Sequence, residues 1–285
     1  MGDMLKRLSV FVVTLVAGAT ALGGEVMAQQ YLADPWQMGF QEPRSPSAEQ
    51  IFAFHDLLLY IEVAIVIFVL GIMGYIIVKF NSKANPTPSK TTHNTLLEVV
   101  WTVVPIIILV VIAVPSLKLL YFTDRTYTPE LTIKVTGNQW YWSYTYPDNN
   151  DIEFDSIYVS DDELEEGQPR MLTVDNPLVL PVDTNIRILL ASNDVIHNFA
   201  MPSLGLKLDT TPGRANETWV SINDEGTYYG MCSELCGVNH GFMPVQIEAV
   251  SKEAFNEWLV GAEEEFGSNE SLSDKVVKFA AALGQ

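Results

Sequence analysis

Two apolar runs constrain this chain more than anything else in its 285 residues. Residues 57–78 and 96–117 each reach the roughly 20 apolar residues that a bilayer-spanning helix requires. Core helices of soluble proteins are seldom so long and so evenly apolar. The segment 81–95 between the runs carries Lys83 and Lys90 and no acid, and Lys79 flanks it. Short basic loops stay on the cytoplasmic side. The pattern therefore predicts a transmembrane hairpin with both ends emerging on the outer face.

The N-terminus agrees with that orientation. Lys6 and Arg7 precede an apolar stretch, 8–22, too short to span comfortably, and Val26-Met27-Ala28 before Gln29 has the small residues of a cleavage site. Residues 1–28 read as a signal peptide, with a retained anchor as the alternative. Three features inside the spans ask for partners. Glu62 lies deep in the first and must face protein or water. Glu98 opens the second, where a carboxylate either marks an ion path or complements the helix dipole. Pro105 and Pro115 would bend the second span and free carbonyls that a larger membrane protein could satisfy.

Charge divides the chain at about residue 125. Residues 126–285 hold 8 Lys or Arg against 26 Asp or Glu, a balance of −18 out of the formal −19 for the whole. Such a surface repels nucleic acid and attracts basic partners, or it serves solubility alone. Short β-prone runs fill this part: 131–136, 140–146, 170–174, 184–191, 217–222, 226–230 and 244–250. Turn residues separate them at short intervals, which predicts a sandwich or barrel. Residues 161–169 form an acidic loop. A closing helix is expected over 251–260 with Ser251 as its cap, then a tail, 261–285, with an amphipathic stretch at 272–283.

The chemistry concentrates in one loop, Gly230-Met-Cys-Ser-Glu-Leu-Cys-Gly-Val-Asn-His-Gly-Phe-Met243. Both cysteines of the chain, Cys232 and Cys236, stand there with His240 and Met243. An exported pair of cysteines can close a disulfide, and two thiols with two imidazoles can hold zinc. The disulfide leaves His240, Met243 and the distant His197 without a role. A thioether prefers copper to zinc, and soft sulfur with imidazole selects copper. Two thiolates can bridge two coppers, with His197 and His240 as one imidazole each, Met243 as a weak axial ligand and the main-chain carbonyl of Glu234 as the other.

These residues carry a family resemblance. Gly137-Asn-Gln-Trp-Tyr-Trp-Ser-Tyr144, Ser203-Leu-Gly-Leu-Lys-Leu-Asp209 with Pro212-Gly-Arg214, and Cys232-Ser-Glu-Leu-Cys-Gly-Val-Asn-His-Gly-Phe-Met-Pro244 resemble subunit II of haem–copper cytochrome c oxidases in its bacterial, aa3-like, copper-containing form. The likeness runs from about residue 54 to 258. It implies a cupredoxin-like Greek-key barrel, an all-β domain, on a two-helix transmembrane hairpin. It implies a binuclear CuA centre on His197, Cys232, Glu234, Cys236, His240 and Met243, and a magnesium or manganese ion reached by the Glu234 carboxylate at the contact with subunit I. Trp140 matches the aromatic where an electron from cytochrome c arrives, with Tyr141 and Trp142 beside it. Asp155, Asp175, Asp194 and Asp151 match acids that dock cytochrome c. Glu98 matches the mouth of a proton pathway used by subunit I, and Lys207 and Asp209 match its exit side. Implied partners are subunits I and III, cytochrome c and the lipid bilayer; the haems and CuB would lie in subunit I.

The chain departs from the family at Asn198-Phe199, often Ser-Trp, and at Leu208, often polar; neither is a ligand position. No Cys-x-x-Cys-His occurs, so no haem c is attached. A quinol oxidase subunit would have lost the copper ligands. A tethered copper carrier or a disulfide-bonded binding module would not need Glu234, Trp140 and Glu98 together.

Overall fold

A computed structural model describes residues 30–126 and 128–267. The expected signal peptide and the stretch 272–283 lie outside the described residues. The order of elements is β1 (Gln30–Tyr31), α1 (Pro46–Lys79), α2 (Thr95–Asp124), β2 (Leu131–Asn138), β3 (Tyr141–Tyr146), β4 (Ile152–Ser156), β5 (Leu178–Pro181), β6 (Ile186–Ser192), β7 (His197–Met201), β8 (Leu206–Thr210), β9 (Asn216–Val220), β10 (Gly226–Cys232), β11 (Pro244–Val250) and α3 (Lys252–Phe266).

The 34 residues of α1 and 30 of α2 extend over about 51 and 45 Å at 1.5 Å per residue. A hydrocarbon core is only about 30 Å thick, so both helices overhang it. Their large apolar side chains, from Leu57 to Val78 and from Leu96 to Tyr121, are mostly exposed, as suits a surface facing lipid or other membrane subunits. Helix starts are capped as propensity requires. Ser45 accepts from Ala48 N–H (3.0 Å) ahead of Pro46, and Asn94 accepts from Leu97 N–H (3.2 Å). The Glu98 carboxylate accepts in return from Asn94 N–H (3.2 Å), a reciprocal cap one residue beyond the capping-box position. Helix α2 continues through Pro105 and Pro115, and Glu62 is exposed on α1.

The strands form two sheets ordered β4-β3-β2-β6-β9 and β5-β11-β10-β7-β8, with β1 added to β10. Parallel pairs β2–β6 and β5–β11 sit among antiparallel ones, the mixed, curled arrangement of a cupredoxin-like barrel. Trp142, Tyr144, Tyr146, Ile133, Ile188 and Leu190 of one sheet meet Leu178, Leu180, Phe199, Met201, Tyr228 and Ile247 of the other in the core.

Several sequence expectations need correction. Residues 170–174 form no strand; turns there leave one isolated bridge, Tyr158 to Val174. β4, β5, β7 and β8 were not expected as strands. β5 and β7 are buried at every position, so the alternation that betrays a half-buried strand is missing. α3 starts on its Ser251 cap, which accepts from Ala254 N–H (3.1 Å), but runs past Gly261 to Phe266. Aromatic packing explains the extra turns: Phe266 lies 4.9 Å from Phe154, and Trp258 lies 5.2 Å from Tyr146.

The helices are fastened to the barrel on both sides. β1 pairs with Thr227 and Tyr228 of β10, and Tyr31 stacks on Tyr228 at 4.4 Å. Arg44 lies 4.6 Å over the Tyr31 ring and bonds Asp224 at 3.0 Å, while Ser45 Oγ donates to Leu204 O (2.7 Å). After α2, Trp219 Nε1 donates to Phe122 O (3.3 Å).

Candidate metal centre

Strands β7 and β10 run antiparallel, with Cys232 opposite Phe199, which brings His197 at the head of β7 near Cys232 at the end of β10. Residues 233–239 loop outward, a short turn of helix covers His240–Phe242, and Met243 leads into β11. The donor atoms of His197, Cys232 and Cys236 lie within 4.8 Å of one another, and all three residues are buried. Cys236 Sγ is 3.5 Å from His240 Nδ1 and 3.5 Å from Met243 Sδ. Cys232 Sγ is 3.3 Å from the Glu234 carbonyl oxygen. The six residues expected as ligands therefore converge on one pocket under the loop.

The thiols are free, with sulfurs 3.9 Å apart, where a disulfide requires about 2.05 Å. Metal–thiolate bonds of about 2.3 Å from both sulfurs to one ion would reach across that separation. A second observation fits a metal. His197 is fully buried; its Nε2 lies 2.8 Å from Asp194 Oδ1, and its Nδ1 has no hydrogen-bond partner. Buried polar atoms are normally satisfied, and an imidazole tied to a carboxylate by one nitrogen is the usual posture of a metal ligand. The donor set of two sulfurs, a thioether and two imidazoles suits copper.

Electrostatics separate the two thiols. Burial works against ionising Cys232, but contacts with His197 and with the main chain at Asn198 and Glu234 outweigh it and lower its pKa. Burial and then the neighbouring Cys232 charge push Cys236 up. Burial also disfavours charge on His197, yet the Cys232 sulfur and the Asp194 carboxylate prevail and raise its pKa.

Of the other expected site residues, Trp140, Trp142 and Asp194 contact this centre directly. The β2–β3 hairpin carries Gln139 and Trp140 over the loop. Gln139 Nε2 (2.7 Å) and Trp140 Nε1 (3.3 Å) both donate to Cys236 O. Gly237 has φ +125°, and a Cβ there would come within 2.9 Å of Trp140 Cζ2, so the loop and the half-buried indole touch closely. Tyr141 is half-buried. Trp142 is the core tryptophan beneath the site; it is fully buried, its Nε1 donates to Met243 O (3.2 Å), and its ring lies edge-on to His197 at 6.0 Å. Gly137 leaves room for that histidine, since a Cβ there would sit 2.8 Å from His197 Cδ2.

Asp151, Asp155 and Asp175 are exposed. Two of them also hold the local chain. Asp155 Oδ1 accepts from Ser143 Oγ (2.6 Å), and Asp175 Oδ1 accepts from Ile157 and Asn176 N–H (2.7 Å each). Asp194 accepts from Gln139 N–H (2.7 Å) and Val195 N–H (2.6 Å) besides its contact with His197. Burial would raise its pKa, but His197 and those two amides hold it below the ordinary range. Glu234 is exposed, as is Lys207; Asp209 Oδ1 accepts from Asn198 Nδ2 (2.6 Å). Glu98 stands apart from the centre, at the far end of α2. Gly137 and Gln139 belong to the motif that carries the resemblance, but sequence reasoning gave neither of them a role. It counted Asp194 as a surface acid although its position three before His197 was the available signal.

Fold and site together define a membrane-anchored cupredoxin-like protein with a buried cluster of soft donors able to hold a metal. The profile of the family described as "Cytochrome C oxidase subunit II, periplasmic domain" matches residues 131–250, and that described as "Cytochrome C oxidase subunit II, transmembrane domain" matches residues 33–119. The "Probable cytochrome c oxidase subunit 2" of Rickettsia bellii is 56% identical over 225 residues, covering 79% of this chain and 84% of that protein. The "Cytochrome c oxidase subunit 2" of Phytophthora megasperma is 47% identical over 233 residues, covering 80% and 88%. Among solved structures, the periplasmic domain of subunit II of cytochrome oxidase from Bradyrhizobium japonicum shares 48% identity over 50% of this chain and 99% of that one, with a TM-score of 0.47. The chain belongs to the cytochrome c oxidase subunit II family.

Proposed function

We propose that the chain is the electron-accepting subunit of a bacterial cytochrome c oxidase, taking electrons from cytochrome c and passing them to haem a of subunit I, where oxygen is reduced to water and protons are pumped. The convergence of two imidazoles, a thioether and a carbonyl oxygen on two free thiols, with an orphaned His197 Nδ1 among them, is the observation that carries this reading. A bound pair of coppers, the CuA centre, would supply a one-electron relay. His197, Cys232, Cys236, His240, Met243 and the Glu234 carbonyl would hold it. Burial of the thiols excludes water; strands β7 and β10 fix His197 and Cys232, and the loop is held at Cys236 by Gln139 and Trp140, so that little has to move when charge changes.

Electrons would arrive through Trp140, which touches the loop at Gly237 and bonds Cys236 O. Leu235 and Val238 are 78% and 89% exposed on the same loop, and Tyr141 with Asp151, Asp155, Asp175 and Asp194 would complete the docking surface. An apolar centre with acidic surroundings suits a basic redox protein. The Glu234 carboxylate would meet magnesium or manganese at the subunit I contact, and Lys207 and Asp209 would lie near the proton exit. Glu98, beyond its capping bond, would stand at the mouth of a proton pathway. In this reading residues 1–28 are removed as a signal peptide, the hairpin crosses the inner membrane beside subunits I and III, the barrel occupies the periplasm, and a tail follows it.

Metal analysis of the purified complex tests the proposal. Two coppers assignable to this chain, with near-infrared absorption and one electron shared between them, are expected. A chain without copper, its two thiols oxidised to each other, would sink it.

A further inference from the structure

The carboxylate of Asp194 is already spoken for. Oδ1 lies 2.8 Å from His197 Nε2 and accepts from Val195 N–H (2.6 Å), and Oδ2 accepts from Gln139 N–H (2.7 Å). Little acceptor capacity remains for a basic partner. The same side chain touches both walls of the centre. On one side it binds a ligand imidazole that is fully buried. On the other it holds the main chain of Gln139, whose own side chain reaches Cys236 O (2.7 Å). Asp155 and Asp175 do neither; their partners are Ser143, Ile157 and Asn176.

We propose that Asp194 is a positioning residue for the metal centre, fixing the ring and tautomer of His197 through Nε2 so that Nδ1 is left as the donor atom. This rests on the functional reading above and extends it, because it separates Asp194 from the acids that would receive cytochrome c. A carboxylate behind a ligand histidine fixes ring orientation and makes the imidazole a stronger donor, and losing it typically costs 10- to 100-fold in affinity or activity. A stronger donor favours the more positive, oxidised metal state. Replacing the carboxylate by an amide therefore weakens binding of the oxidised state more than the reduced one. A tenfold change in that ratio corresponds to about 59 mV in a one-electron couple, and the shift is upward.

The test uses the purified oxidase complex with Asp194→Asn, Asp194→Glu and, as a control, Asp155→Asn. Copper content, the midpoint potential of the centre and KM for cytochrome c at low and high ionic strength are measured on each. For Asp194→Asn we expect a potential raised by the equivalent of about tenfold, or copper lost from an otherwise assembled complex, with Asp194→Glu closer to the parent. Asp155→Asn should raise KM and flatten its salt dependence at an unchanged potential. An Asp194→Asn complex with full copper, the parent potential and only a raised KM would overturn the assignment and return Asp194 to the docking acids. A parent complex without its two coppers would instead overturn the functional reading itself, so the two failures are distinguishable.

Discussion

Gly137→Ala is the sharpest single-atom probe of the site. A Cβ at position 137 would lie 2.8 Å from both His197 Cδ2 and Thr210 Oγ1. Ordinary contact begins at 3.4 Å, so the imidazole would have to retreat by about 0.6 Å to restore it. It has nowhere to go. The ring is fully buried, held by Asp194 at 2.8 Å and packed edge-on to Trp142. The strand carrying Gly137 cannot yield easily either, because it pairs with β3 on one side and β6 on the other. Metal–ligand distances tolerate only about 0.2 Å, so the forced displacement is roughly three times what the centre can absorb. Overpacking of this kind costs about 1–3 kcal/mol. The expected result is lowered copper content, a changed near-infrared band in whatever copper remains, and loss of that band at a lower temperature than in the parent complex. Gly261→Ala is the matched control. It lies in α3 with nothing within 4 Å of the added methyl, and should be neutral or stabilising by up to about 1 kcal/mol. A Gly137→Ala complex with the parent's copper content, spectrum and thermal profile would refute the placement of His197 against β2.

Other outcomes follow from the same geometry. Trp140→Phe removes the indole N–H that binds Cys236 O and should slow turnover with cytochrome c by on the order of tenfold or more, the scale of one interfacial tryptophan, while the copper spectrum stays; unchanged turnover would remove Trp140 from the route. Glu98→Gln should slow oxygen reduction without altering the copper spectrum, and unaffected turnover would reduce Glu98 to its capping bond. In the metal-free chain, ultraviolet thiolate absorbance should rise in two separated steps, one below the ordinary cysteine range for Cys232 and one well above it for Cys236, following the opposite shifts described; a single unresolved step would show that the thiols do not sense each other.

What could be read from the sequence divides along physical lines. The spans were legible because lipid demands an uninterrupted apolar run. The loop was legible because sulfur and imidazole are rare and were packed into a dozen residues. His197 could be tied to them by chemistry, though the strand bearing it could not be seen: β7 is buried on both faces and shows no alternation. The length of α3 was misjudged at Gly261 because aromatic contacts of Trp258 and Phe266 override one poor helix former. Asp194 was read only as a charge; its spacing to His197 was there to see, but its bond to Gln139 depends on a hairpin 55 residues away.

The strap formed by β1 and Arg44 bears on how the extramembrane half can be handled. The barrel is not one continuous stretch of chain: β1, which pairs with β10, precedes both membrane helices. A soluble fragment begun after α2 would forfeit the Tyr31–Tyr228 stack, a contact worth about 0.5–1.5 kcal/mol, together with the Arg44–Asp224 bond. It would also wet Tyr228, which is otherwise fully buried on the strand that ends at Cys232. A fragment that grafts residues 30–45 back onto the barrel should hold that strand, and with it the first thiol, closer to its native setting than simple excision does.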